Sequence, residues 1–181
     1  DNLQNQNRLL TGQVEELTNA IRQEKRSTRE LYTSIDERLG KFEPREVEVN
    51  GEKVMVQPQE QAAYDAAVEL LKAGDYKKAA AAFSTFGAEW PKSAYAADAV
   101  YWRGSCLFAL EQYKSTINVQ NSLIRSYPKH PRVADAMISV ASSQAALGNV
   151  KAASATLAKV IKQYPNSDAA KTAAQLQKTL K

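Results

Sequence analysis

The chain has 181 residues, 44% of them hydrophobic and 24% charged, with a net charge of +4, enough for one core of about 120 residues plus an extended appendage. One cysteine, Cys106, and one histidine, His130, exclude an intramolecular disulfide and a cysteine-rich metal cluster, and no apolar run has the length of a membrane span. Residues 59–181 carry fifteen basic and nine acidic side chains, scattered one or two lysines per segment; this is a solvated helical surface rather than a phosphate-tracking stripe, so no nucleic-acid partner is expected.

Residues 1–42 form the first predicted element, a coiled-coil oligomerisation helix. Apolar residues recur at spacings of three and four without a proline: Leu3, Leu10, Leu17 and Leu31 on one seam position, Val14, Ile21 and Ile35 on the other. A heptad seam of this kind winds against further copies of itself. Glu24 and Thr28 interrupt the seam, which predicts a coil weakest at its centre. The alternation of Leu with β-branched residues favours a parallel dimer. The chain begins at Asp1 rather than Met, so a processed or truncated N-terminus is expected, with any export signal peptide removed along with it.

Residues 43–58 read as a linker holding a β-hairpin. Glu46-Val47-Glu48-Val49 and Lys53-Val54-Met55-Val56 flank Asn50-Gly51, with Pro44 and Pro58 on either side, and Asn-Gly is the strongest two-residue hairpin signal. Because an isolated two-stranded ribbon is marginal in water, it is expected to pack on the coil end or on the first repeat, or to serve as a partly ordered linker.

From residue 59 to 181 the chain is periodic. Trp90-Pro91, Tyr127-Pro128 and Tyr164-Pro165 stand 37 residues apart, and Gly74-Asp75, Glu111-Gln112 and Gly148-Asn149 keep the same interval. Pro ends a helix, the Gly-containing pairs mark inner turns, and apolar residues between them recur at helical spacing, as in Ala79, Ala80, Phe83 and Phe86. Each period is therefore a helical hairpin. Small residues at Ala79, Ala82, Gly104, Ala141 and Ala153 allow close helix packing. Residues 60–166 resemble tetratricopeptide repeats on the strength of Gly74, Tyr76, Ala79, Phe83 and Pro91, then Gly104, Leu107, Tyr113 and Pro128, then Gly148, Ala153 and Pro165. Thr116 and Gln120 depart from that pattern, which prefers Ala and an aromatic residue there. Residues 167–180 form a capping helix with Ser167 as N-cap, Ala169, Ala173, Leu176 and Leu180 on its apolar face, and lysines at 171, 178 and 181. The fold class expected is all-α: a coiled-coil helix, a short β-hairpin or linker, and an α-solenoid of three tetratricopeptide-like repeats with a C-terminal cap.

The first helix of each hairpin lines the concave side of such a solenoid. The predicted partner-binding groove is Tyr64, Val68, Leu71 and Lys72, then Asp98, Tyr101, Ser105 and Phe108, then Asp135, Ile138, Ser142 and Ala145. Apolar and aromatic side chains flanked by Asp98 and Asp135 suit an extended or helical peptide with apolar anchors and a basic group. Some tetratricopeptide domains clamp a C-terminal carboxylate with Lys and Asn; here Tyr64, Val68 and Tyr101 stand in those places. No catalytic, metal or cofactor site is predicted: Cys106, among Gly104, Leu107 and Phe108, reads as a small apolar filler, and no Gly-rich loop accompanies it to build an oxyanion site.

Heptad coil, linker and repeats together resemble the periplasmic Tol-Pal system YbgF family, also called the cell division coordinator CpoB family. Ala97-Asp98-Ala99-Val100-Tyr101-Trp102 with Gly104, Ala134-Asp135-Ala136-Met137, and Tyr164-Pro165-Asn166-Ser167-Asp168 carry the likeness. The resemblance implies a non-enzymatic adaptor of the bacterial periplasm that trimerises through its coil, in place of the dimer favoured by the seam. It implies that the repeats contact TolA, and that outer-membrane constriction is coordinated with the septal peptidoglycan synthesis machinery. Many relatives have a long Ala/Gly/Ser-rich linker where this chain has the Val-rich segment. The rival expectation is an outer-membrane assembly factor similar to the repeat lipoprotein of the barrel-insertion machinery, which shares the Tyr-Pro junctions.

Overall fold

The computed structural model describes residues 1–180; Lys181, the end of the predicted repeat domain, lies outside them. The chain is mostly helical, with a long N-terminal helix, a small hairpin and stacked helix pairs, and it divides into two compact units, Asp1–Glu43 and Pro44–Lys181.

The first unit is the single helix α1 (Asn2–Leu39), which ends at Gly40 and buries no residue. Every predicted seam side chain is exposed along it, Ile21 to 55%. A lone helix of this polarity gains little from its own hydrogen bonds in water, so its apolar stripe is unspent.

The second unit begins with β1 (Arg45–Val49) and β2 (Glu52–Val56), antiparallel with Val49 opposite Glu52 and Val47 opposite Val54. Asn50 and Gly51 both take positive φ, 54° and 84°, as a two-residue turn matched to the strand twist requires. Val49 and Val56 are buried, so the ribbon packs its valine face within this unit.

Three helical hairpins follow: α2 (Pro58–Lys72) with α3 (Tyr76–Glu89), α4 (Ala96–Ala109) with α5 (Tyr113–Ser126), and α6 (Val133–Ala146) with α7 (Val150–Gln163). Their turns are chemically alike. At Gly74, Glu111 and Gly148 the backbone has φ of 76°, 58° and 79°. The next amide in each case reaches back to close the first helix, Asp75 N–H to Leu70 C=O, Gln112 to Leu107 and Asn149 to Gln144, at 3.0, 2.9 and 2.8 Å. Each second helix stops at the aromatic residue before proline, whose amide bonds the carbonyl four residues back: Trp90 to Phe86, Tyr127 to Leu123, Tyr164 to Val160.

The core runs through the stack. Phe83 and Phe86 pack with Ala67, Ala79, Ala99 and Cys106; Leu123 with Ala97 and Ala136; Leu157 and Val160 with Met137 and Ala141. Small residues let the helices approach, most closely at Gly104, where an added Cβ would lie 2.9 Å from Gln120 Cγ. The two departures from the repeat pattern are both fully buried: Thr116 turns its hydroxyl onto Gln112 C=O (3.2 Å), and Gln120 donates to Tyr101 C=O (3.1 Å). Helix α8 (Asp168–Thr179) closes the stack, its N-cap Ser167 accepting from Ala170 N–H at 3.1 Å, with Ala169, Ala170 and Ala173 buried.

Candidate protein-binding groove

The first helices α2, α4 and α6 present the predicted groove residues to two cavities. One, of about 470 Å³, is lined by Tyr64, Val68, Leu71 and Lys72 of α2 and by Asp98 and Trp102 of α4. The other, of about 310 Å³, is lined by Tyr101, Ser105 and Phe108 of α4, Asp135, Ile138 and Ser142 of α6, and Thr172 of α8. Eleven of the twelve side chains of the predicted concave face thus fall in these two compartments; Ala145 lines neither.

The first compartment is a furnished one. Tyr64 stacks on Tyr95 with ring centroids 4.4 Å apart and meets Phe83 and Phe86 edge-on. Burial, then the nearby Asp98 carboxylate, pushes its hydroxyl pKa well above the ordinary tyrosine value, so Tyr64 is a wedge between helices as much as an anchor. Lys72 is exposed and pairs with Glu69 at 2.8 Å. Asp98 corrects the expectation of an outward-facing acid: it is 6% exposed. Its carboxylate is already engaged, with Arg132 Nε and His130 Nε2 each 3.6 Å away and Asn50 Nδ2 donating at 2.8 Å. Arg132 in turn lies over the rings of Tyr101 and Trp102, 5.1 and 4.8 Å from their centroids.

The second compartment is open and uncompensated. Phe108 is 36% exposed and touches Tyr113 edge-on. Asp135 has no ion-pair partner among the described residues. Burial, then the Asp135 carboxylate, raises the Tyr101 hydroxyl pKa. Ser105 turns its hydroxyl onto its own helix at Tyr101 C=O, 3.1 Å away. An aromatic ring, an isoleucine and a free carboxylate form one wall with no cation among its lining residues.

Sequence reasoning missed the hairpin's share of the groove, since Glu48, Val49 and Asn50 line the first compartment. It also missed Arg132, which sits just ahead of α6. Pro131-Arg132 after His130 was the available signal, but periodicity says nothing of where a helix N-cap side chain folds. A third cavity of about 570 Å³ lies among α5, α6 and α7, beside Ile124, Met137 and Tyr164. Cys106 is buried in the core, and its thiol is pushed up to about 11 by burial.

The family described as YfiO, outer membrane lipoprotein, matches residues 56–181. The cell division coordinator CpoB of Pseudomonas putida is 49% identical over 41 residues, a stretch that spans 23% of this chain and 15% of that relative. Among solved structures, PcrH of Pseudomonas aeruginosa superposes with a TM-score of 0.59 at 14% identity, covering 70% of this chain and 95% of PcrH. The Yersinia enterocolitica type III secretion chaperone SycD, in complex with a peptide of the translocator YopD, gives 0.57 at 18% identity, covering 69% and 91%. At these identities the two structures establish a shared tetratricopeptide-like fold.

Proposed function

The chain belongs to the family described as YfiO, outer membrane lipoprotein, and from that premise and its groove we infer a non-enzymatic adaptor of the bacterial periplasm that grips a segment of a partner protein. The observation that carries this reading is the second compartment, where the exposed Phe108 and the half-buried Ile138 stand beside Asp135, which has no ion-pair partner among the described residues. An extended or helical segment with apolar anchors and a basic residue complements it. The local likeness to the cell division coordinator supports a place in the Tol-Pal system, with a TolA-like envelope protein as the partner and coordination with peptidoglycan synthesis as the purpose. SycD holding a translocator peptide is a precedent for the mode of binding on this fold.

The exposed seam of α1 supports the second half of the reading, a coil of three copies that multiplies one modest groove into an avid assembly. Calorimetric titration of the full chain with a purified TolA-like protein tests the groove. Asp135→Lys and Phe108→Ala should each weaken binding by roughly tenfold or more, the loss of one hot-spot contact; no binding by the parent chain, or equal binding by both variants, would end the proposal. The second reading, an outer-membrane assembly factor, is favoured by the family match over residues 56–181. It requires the same two variants to lose affinity for the barrel-insertion machinery instead.

A further inference from the structure

We propose that the β1–β2 hairpin is a movable wall of the groove: its tip residue Asn50 is held by a receptor formed by Asp98, His130 and Arg132, and the hairpin must swing out before a partner segment longer than the walled cavity can lie along the first compartment. This rests on the reading of the groove as a partner site. The tip crosses two repeats. Asn50 Nδ2 is 2.8 Å from Asp98 Oδ2 on α4 and 3.0 Å from His130 Nε2 ahead of α6, contacts made across 48 and 80 residues of sequence. Asp98 is a carboxylate with its side chain 9% exposed, and such a group needs every donor it can reach. One of its donors comes from outside the helical stack.

The hairpin is seated but weakly tied. Val56 is 1% exposed and Val49 is buried, and Glu48, Val49 and Asn50 wall the compartment opposite Val68, Leu71 and Trp102. Yet Asn50 makes all the side-chain hydrogen bonds from the strands and turn to the rest of the second unit among the described residues. The remaining one, Lys53 to Glu46 at 2.8 Å, is internal to the ribbon and exposed. A ribbon of two strands has little stability of its own, so loss of the tip contact releases it. Arg132, 3.6 Å from Asp98 Oδ1, already balances the carboxylate. The incoming segment therefore replaces Asn50 with a neutral donor, a side-chain amide, and takes up the apolar wall with its neighbours. The second compartment stays open whether the hairpin is seated or not, which gives a partner a first foothold before displacement.

The test uses the full chain with Asn50→Gly and Asn50→Asp. Both substitutes accept positive φ, so the turn survives while the anchor is lost or, with Asp, opposed by a second carboxylate. Three readouts are taken: hydrogen exchange of the hairpin amides, acrylamide quenching of Trp102 in a Trp90→Phe background, and affinity for a TolA-like protein. Release predicts hairpin exchange faster by about tenfold with α6 and α7 unchanged, more quenching of Trp102, and a partner affinity higher by up to about tenfold, as a competent state is freed. Unchanged exchange and quenching would show that Asn50 is not the anchor and overturn the proposal. Release without a gain in affinity would show that the hairpin does not compete, and would leave the groove reading standing. If the parent chain binds no TolA-like protein, the functional reading fails, and exchange with quenching alone decides whether Asn50 holds the hairpin as a wall of the compartment.

Discussion

Replacing Gly104 by Ala tests the packing of the second repeat most directly. An added Cβ would lie 2.5 Å from Gln120 Cδ and 2.9 Å from Cγ, which is the middle of that side chain and not its free end. Gln120 is fully buried, so it has no open direction in which to swing. Overpacking costs about 1–3 kcal/mol. Displacing the amide from Tyr101 C=O strands buried polar groups at about 1–3 kcal/mol, and Gln120 Oε1 already lacks a partner among the described residues. Ala returns about 1 kcal/mol of helix propensity. The net is a loss of about 3 kcal/mol, or a fall in Tm of roughly 10 °C for a unit of this size. Tryptophan fluorescence during urea or thermal unfolding reads the repeats alone, because Trp90 and Trp102 both lie in the second unit and α1 has none. Gly87→Ala in α3 is the control: nothing stands within 4 Å of its added Cβ, so it should stabilise by about 0.5–1 kcal/mol. The double variant Gly104→Ala with Gln120→Ala should recover about 2 kcal/mol relative to the sum of the singles. A Gly104→Ala chain as stable as the parent would refute the steric account.

Glu111→Gly should stabilise the chain by about 1 kcal/mol in the same assay, because Glu111 holds φ of 58° where the other two turns use glycine; a destabilised variant would mean that its side chain does something the backbone does not reveal. Cys106, its thiol raised to about 11 by burial, should react with a disulfide reagent at pH 8 at least about 100-fold more slowly in the folded chain than in urea. The sign of the linkage follows: the folded thiol keeps its proton longer than the unfolded one, so its contribution to stability is whole below the unfolded value near 8.5 and is lost as pH rises toward 11. Stability that instead rose over that window would contradict the burial. Ile21→Asp should reduce the proposed coil of several copies to monomers in analytical ultracentrifugation and leave the fluorescence-detected unfolding of the repeats unchanged; an unaltered mass would remove Ile21 from the seam.

What was legible in the sequence is what the backbone must do locally. Pro91, Pro128 and Pro165 end helices wherever they stand, and an αL residue must close each first helix, so a 37-residue interval between such residues fixes three hairpins before any contact is known. Helical periodicity grouped eleven of the twelve candidate groove side chains where they line the two compartments. What periodicity cannot supply is the identity of the neighbour. Asp98 has the same place in its helix as Asp135, and the two motifs, Ala97-Asp98-Ala99 and Ala134-Asp135-Ala136, are identical, yet Asp98 is buried while Asp135 lines the open compartment. The difference comes from side chains 34 and 48 residues away, Arg132 and Asn50. A repeat therefore encodes its helices within itself and its surface in its surroundings: the same acid is a structural clasp where a hairpin and an arginine reach it, and one repeat later has no ion-pair partner among the described residues. That asymmetry also chooses the variant for probing the groove. A change at Asp98 removes the partner of a largely buried cluster and is expected to disturb the first compartment and the hairpin together, whereas a change at Asp135 alters one charge and leaves the packing beneath it intact.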